Sequence, residues 1–156
     1  MIKVIKAVLA LALMVAGPVF AVPEVSSPSN HIVSGGQGVE KSVDSSDRTK
    51  WCGLHEGRPV QWMLKLSEDG GMAVKSYSII SGNDVPTRDP KDWVLEGSQD
   101  GEYWTELDRQ TDQPVFEKRF QSKTFQFEND SAWQFYRFTF GKTHDETHFQ
   151  FSEIAL

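Results

Sequence analysis

The chain has 156 residues, with 16 Lys and Arg against 22 Asp and Glu and a net charge of −6. No basic stripe runs along it, which argues against nucleic acid and anionic membrane surfaces as partners, because clustered Lys and Arg supply the affinity for both. Cys52 is the lone cysteine, so no internal disulfide framework is available and the fold must rest on its core; zinc and iron–sulfur spacings are missing as well.

At the N-terminus, Lys3 and Lys6 precede an apolar run over 7–16, a Gly17-Pro18 break and Val19-Phe20-Ala21. A basic start, a short apolar run and small residues before the cut predict a cleaved secretory signal over 1–21, and hence a secreted or periplasmic protein; retention as an anchor is the alternative. No later segment approaches the ~20 apolar residues of a spanning helix, so no membrane insertion is expected. Without Lys3 and Lys6, 14 basic residues face 22 acidic ones, a charge of −8. The remaining length suits one domain.

Residues 22–34 are rich in Ser, Pro and Val and read as an extended segment or a loosely docked first strand, leaving 35–156 as the folded domain. Cys52, between Trp51 and Leu54, reads as a small buried hydrophobe. From Pro59 onward Val60, Trp62, Leu64 and Leu66 alternate with polar or flexible residues, the period of a half-buried strand. Strands are expected again over 74–81, 93–98 and 103–107, around Phe125 and Phe127, over 135–140, and as one closing strand over 148–156. Turn residues separate these runs at Asp69-Gly70-Gly71, at 84–90, at 112–114 and at Asn129-Asp130. Asp100-Gly101 between apolar runs predicts a tight hairpin with both central residues at positive φ. No window shows a clean helical stripe, so the class is all-β, an antiparallel β-sandwich whose ten Phe and five Trp interdigitate between sheets.

Several separated segments resemble, in the right order, the discoidin or coagulation factor 5/8 type C modules, the galactose-binding-like jelly-roll sandwiches. They are Val43-Asp44 with Thr49 and Trp51; Trp62 through Leu66; Trp93, Leu95, Ser98, Asp100, Gly101 and Trp104; Phe135-Tyr136-Arg137-Phe138; and Phe151-Ser152-Glu153-Ile154. The stretch Asn83-Asp84-Val85-Pro86-Thr87-Arg88-Asp89-Pro90-Lys91 looks like a branch of that superfamily found appended to glycan-processing proteins and in small secreted proteins. The resemblance implies a non-catalytic module that binds a glycan or glycoprotein through loops at one end. It also implies a structural Ca2+ near other strand ends, held by Asp44, Thr49 and Glu153 with Asp47 or nearby carbonyls. Ser45 stands where that family usually has glycine.

Hard cations take six to eight oxygens, which Asp44, Asp47 and Thr49 with their backbone can supply; the same side chains can instead cap backbone amides without metal. Pro86 and Pro90 stiffen the loop that carries Asp84, Arg88 and Asp89, either as a rigid polar rim for a ligand or as a turn in which Arg88 pins its own carboxylates. His55, Arg58, Asn83, Arg88 and His144 are candidate sugar contacts by residue type. His144 and His148 flank Asp145-Glu146-Thr147 too loosely to predict zinc and read as loop histidines. No nucleophile elbow, His-Glu-x-x-His or phosphate loop is present, and the carboxylate pairs Asp84/Asp89 and Asp145/Glu146 are ordinary for an acidic surface, so no catalytic residue is expected. Asn129-Asp130-Ser131 fits a glycosylation acceptor. A protein-interaction or adhesion module, or an accessory subunit docking on an enzyme, stands as the rival reading.

Overall fold

The structure is a computed structural model that describes residues 23–28, 32–33, 35–66, 70–145 and 147–156. The expected leader over 1–21, Ser34 at the expected domain boundary, Asp69 of the predicted turn and Glu146 of the predicted carboxylate pair lie outside the described residues.

Eleven strands are described: β1 Glu24–Ser26, β2 Ile32–Val33, β3 Trp51–Leu54, β4 Val60–Lys65, β5 Ser76–Ile80, β6 Pro90–Ser98, β7 Thr105–Gln110, β8 Ser122–Gln126, β9 Phe135–Thr143, β10 His148–Phe151 and β11 Glu153–Ala155. One sheet runs β1-β4-β9-β6-β7, and two three-stranded sheets, β10-β3-β2 and β11-β5-β8, form the facing layer. All pairings are antiparallel, as the all-β sandwich reading requires.

The alternation sets the layers. Val60, Trp62 and Leu64 of β4 and Tyr136, Phe138 and Phe140 of β9 point inward and are buried, while Gln61, Lys65 and Arg137 stay partly or fully exposed. Across the interface Tyr77 meets Phe138 edge-on at 4.9 Å between ring centroids, and Phe140 meets Phe151 at 5.1 Å. Each such ring contributes roughly 1.5–3 kcal/mol through burial. The polar tips of Trp93 and Tyr77 are satisfied: Trp93 Nε1 donates to Tyr77 Oη (2.7 Å), which donates to Asp108 Oδ2 (2.7 Å). Burial pushes the Tyr77 hydroxyl pKa well up, so it remains a donor. Cys52 is buried at 2% exposure.

Four details differ from the periodicity reading. The segment over 22–34 is docked rather than loose where described, with β1 on β4 and β2 on β3. Trp51–Leu54 is a strand, although four residues are too few to display a period. The closing strand is two strands, because the chain changes sheets at Ser152, whose amide donates to Ile80 O (2.8 Å); residues 149–154 are therefore buried on both sides and show no alternation. The Asp100-Gly101 turn is a six-residue loop over 99–104 in which only Gly101 has positive φ (+77°). Asp100 instead uses its carboxylate to cap the Glu102 and Tyr103 amides (2.8 and 2.9 Å). Trp104 leaves the strand and lies 3.9 Å beneath the Arg137 guanidinium. A Cβ on Gly97 would sit 2.6 Å from the Trp133 ring, which is why glycine stands between Glu96 and Ser98.

Candidate ligand-binding clefts and the cation loop

The loop over 55–59 and the loop over 144–147 are joined by the amides of His55 and Glu56, which both donate to Thr147 O (2.7 and 3.2 Å). His55 is buried at 4% exposure. Its Nδ1 accepts the Gly57 amide (3.1 Å), which makes Nε2 the protonated nitrogen; that N–H lies 3.3 Å from both Thr143 Oγ1 and the Asp145 carbonyl. Gly57, at φ +74°, allows the chain to fold back onto the ring. Burial opposes the charge on Asp145, yet the Thr147 amide and hydroxyl and the His148 amide outweigh it and hold this carboxyl below the usual range. A cleft of about 400 Å³ opens here, lined by His55, Glu56, Gly57, Lys142, Thr143 and Asp145. Arg58 lies outside this lining and pairs with Glu56 (2.7 Å). His144 is not among the lining residues, and its Nε2 lies 2.9 Å from Gln113 O.

The loop over 81–89 corrects the expected pairing. Asp89 is fully buried, and both its oxygens are taken by Arg119 (2.8 and 2.7 Å), with the Phe116 amide as a third donor (3.0 Å). Arg88 does not pin its neighbour: its Nε is buried with no hydrogen-bond partner among the described residues. The backbone at Asp89 is extended, so adjacent side chains diverge, and only a residue from another loop reaches the carboxylate's inner side. Asp84 pairs with Lys50 (2.6 Å), and Lys50 also donates to Gln150 Oε1 (2.9 Å). The Gln150 amide in turn donates to the carbonyls of Asp84 and Val85 (2.6 and 3.0 Å). Burial disfavours the Asp84 charge, but Lys50, Gln150 and Arg88 outweigh it and lower this carboxyl below its ordinary value.

Among the residues expected to hold a cation, Asp44, Thr49 and Glu153 converge. Thr49 Oγ1 lies 2.8 Å from both Asp44 oxygens, and the Ser46 amide donates to Asp44 Oδ1 (3.0 Å) and Glu153 Oε1 (2.9 Å). Lys41 stands 3.8 Å from Asp44. Asp47 brings its carbonyl, which accepts from Ser152 Oγ (3.3 Å). Ser45 has φ 62°, the left-handed conformation that glycine adopts most easily. The donor set is all oxygen and suits calcium. Among the described residues no three His, Cys, Asp or Glu side chains come together, so the Thr49 hydroxyl and loop carbonyls must complete any such site.

Thr49 also lines a second cleft, of about 250 Å³, with Gln37, Arg48, Lys50 and Asn83. The expected separation of the cation loop from the ligand loops therefore does not hold here, because Lys50 and Asp84 tie them together. Thr143, Lys50, Arg119 and Gln150 were not singled out from sequence; a lysine directly between Thr49 and Trp51 was the available signal for Lys50. Asn129 is buried, its Nδ2 donating to Val74 O and Ser131 O (both 3.0 Å), which leaves no free amide for a glycan in the folded chain.

No protein-family model matches the sequence. A 51-residue stretch is 59% identical to a peptide-N(4)-(N-acetyl-beta-glucosaminyl)asparagine amidase of Arabidopsis thaliana, covering 32% of this chain and 7% of that protein's length. Among solved structures, a CBM32 module from a family 31 glycoside hydrolase of Clostridium perfringens matches with TM-score 0.69 and 20% identity over 85% of this chain and 88% of its own. A family 32 carbohydrate-binding module of C. perfringens in complex with galactose matches with TM-score 0.65 and 15% identity over 85% and 90%. The F5/8 type C domain of a Bacteroides fragilis protein gives 0.67 and 14% over 85% and 88%. The chain thus has the galactose-binding-like sandwich fold shared by these modules, and the resemblance seen in its motifs holds at the level of the fold.

Proposed function

We propose that this protein is a non-catalytic glycan-binding module that acts outside the cytoplasm. The observation that carries this reading is the fold itself, shared over 84–85% of the chain with carbohydrate-binding modules, two of them in complex with galactose-containing sugars. The stretch shared with an amidase of glycosylated asparagine points the same way. The cleft at His55 is lined by polar groups of the kind a sugar uses, a hydroxyl at Thr143, a carboxylate at Asp145 and an ammonium at Lys142, beside the His55 ring. We further propose that calcium held by Asp44, Thr49 and Glu153, with the carbonyl of Asp47, stiffens the neighbouring loop without taking part in any reaction.

The test is a glycan array with the wild-type protein and Lys142→Ala, in calcium and in chelator, alongside thermal unfolding. Hits weakened about tenfold by Lys142→Ala at unchanged melting temperature support the cleft. A melting temperature that chelator leaves unmoved removes the calcium. A blank array in both buffers removes the glycan reading and turns attention to a protein partner. Tyr103, 80% exposed on the hairpin at the far end of β6, is then the first residue to probe.

A further inference from the structure

A chain of net charge −6 nevertheless gathers cations around its smaller cleft. The Lys50 side chain is only 9% exposed, and an ammonium removed from water requires partners for its charge and its three protons. Asp84 Oδ1 takes one proton and Gln150 Oε1 a second, leaving the third without an acceptor among the described residues. Arg48 is exposed on the rim, and among the described residues its guanidinium meets no carboxylate. The side-chain amides of Gln37 and Asn83, which line the same cleft, likewise make no hydrogen bond to a described residue. No carboxylate belongs to the lining itself, and of those nearby Asp89 is held by Arg119, and Asp44 by Thr49, Ser46 and Lys41. With Asp84 balancing Lys50, Arg48 is the lining cation that no salt bridge to a described carboxylate neutralises.

We infer that this cleft takes the anionic substituent of an acidic saccharide, a carboxylate or a sulfate ester. In this arrangement Arg48 and the free Lys50 proton meet the charge, and the amides of Gln37 and Asn83 meet its flanking oxygens. The inference rests on the glycan-binding reading and deepens it, because it assigns selection for acidic over neutral sugars to residues outside the His55 cleft. A guanidinium presents parallel N–H donors that match a carboxylate or sulfate. About 250 Å³ equals roughly eight water molecules at ~30 Å³ each, room for a charged substituent together with its sugar ring.

Calorimetric titration of the intact protein with galactose, galacturonate, galactose 6-sulfate and inorganic sulfate tests it, using wild type, Arg48→Gln and Arg48→Lys. An acidic sugar should bind about tenfold tighter than galactose. Arg48→Gln should erase that advantage without moving galactose, Arg48→Lys should keep part of it, and raising salt from about 0.05 to 0.5 M should shrink it. Gain with galacturonate alone identifies a carboxylate site, and gain with the sulfate ester alone a sulfate site. Equal affinity for charged and uncharged sugars, no binding of acidic sugars, or a preference that survives Arg48→Gln would overturn the inference. So would inorganic sulfate binding as tightly as its sugar ester. If acidic sugars bind through Arg48 while galactose does not bind at all, the inference stands and the His55 cleft loses its role.

Discussion

Two loops at opposite ends of β6 close by opposite means. The hairpin over 99–104 is held mainly from within, where Ser98 Oγ accepts the Gly101 amide (2.9 Å) and the Asp100 carboxylate accepts the amides two and three residues on, with Gln99 on the Ala132 carbonyl (2.5 Å) and Trp104 under Arg137 as its outside contacts. The loop over 81–89 is held from outside, by Lys50 34 residues from Asp84, Arg119 30 residues from Asp89 and Gln150 66 residues from Asp84. The first closure forms largely with its own turn, whereas the second exists only once three distant parts of the chain, of which only Gln150 lies in a strand, have assembled. The smaller cleft, which Asn83 of this loop helps to line, is thus bordered by a loop that depends on the assembled fold.

The largest effect should come from Arg119→Met, which strands a fully buried carboxylate; losing one partner of a buried pair costs about 3–5 kcal/mol. Chemical denaturation reads it directly. A loss below about 1 kcal/mol would mean that the Phe116 amide alone satisfies Asp89, and the contrast between the loops would weaken. Gly101→Ala should cost less, about 1–2 kcal/mol, since it forces a side chain into positive φ while meeting the Phe135 ring only at an ordinary 3.6 Å. The rest of the fold should be untouched, and a loss equal to that of Arg119→Met would erase the distinction.

The smallest effect is in acid. Asp100, through the Tyr103 and Glu102 amides, and Asp84, where Lys50 and Gln150 outweigh burial, both titrate below their ordinary range. A carboxyl lowered on folding adds stability above its unfolded pKa of about 4, and that stability fades as pH falls through the lower folded value. Melting temperatures followed down from neutral pH should therefore decline below about pH 4. Lys50→Met should remove the Asp84 part of that decline and leave the Asp100 part; an unchanged acid profile would show that Lys50 does not set the Asp84 charge.

The same contrast explains what was legible beforehand. Alternation marked β4 and β9, because a half-buried strand writes its two faces into neighbouring residues. The aromatic positions Trp51, Trp62, Trp93, Tyr136 and Phe151 all proved buried. Asp44, Thr49 and Glu153 were grouped through resemblance and do converge on Ser46. Of the two readings of the 84–89 loop, a polar rim for a ligand or a turn in which Arg88 pins its own carboxylates, the second fails at Asp89, which Arg119 holds, because side chains adjacent in an extended backbone diverge. Nor does the Asn129 motif carry any trace of the Val74 carbonyl that claims its amide 55 residues away.

By itself, the sequence determined the class and the layers, an antiparallel sandwich with an aromatic core, because strand periodicity and turn chemistry act over a few residues. Tertiary structure alone decided which guanidinium meets Asp89, that the closing segment divides between two sheets at Ser152, and that Thr49, Lys50 and Asn83 share one cleft. Those outcomes depend on the directions of side chains brought together from strands far apart in the chain, and no local pattern encodes them.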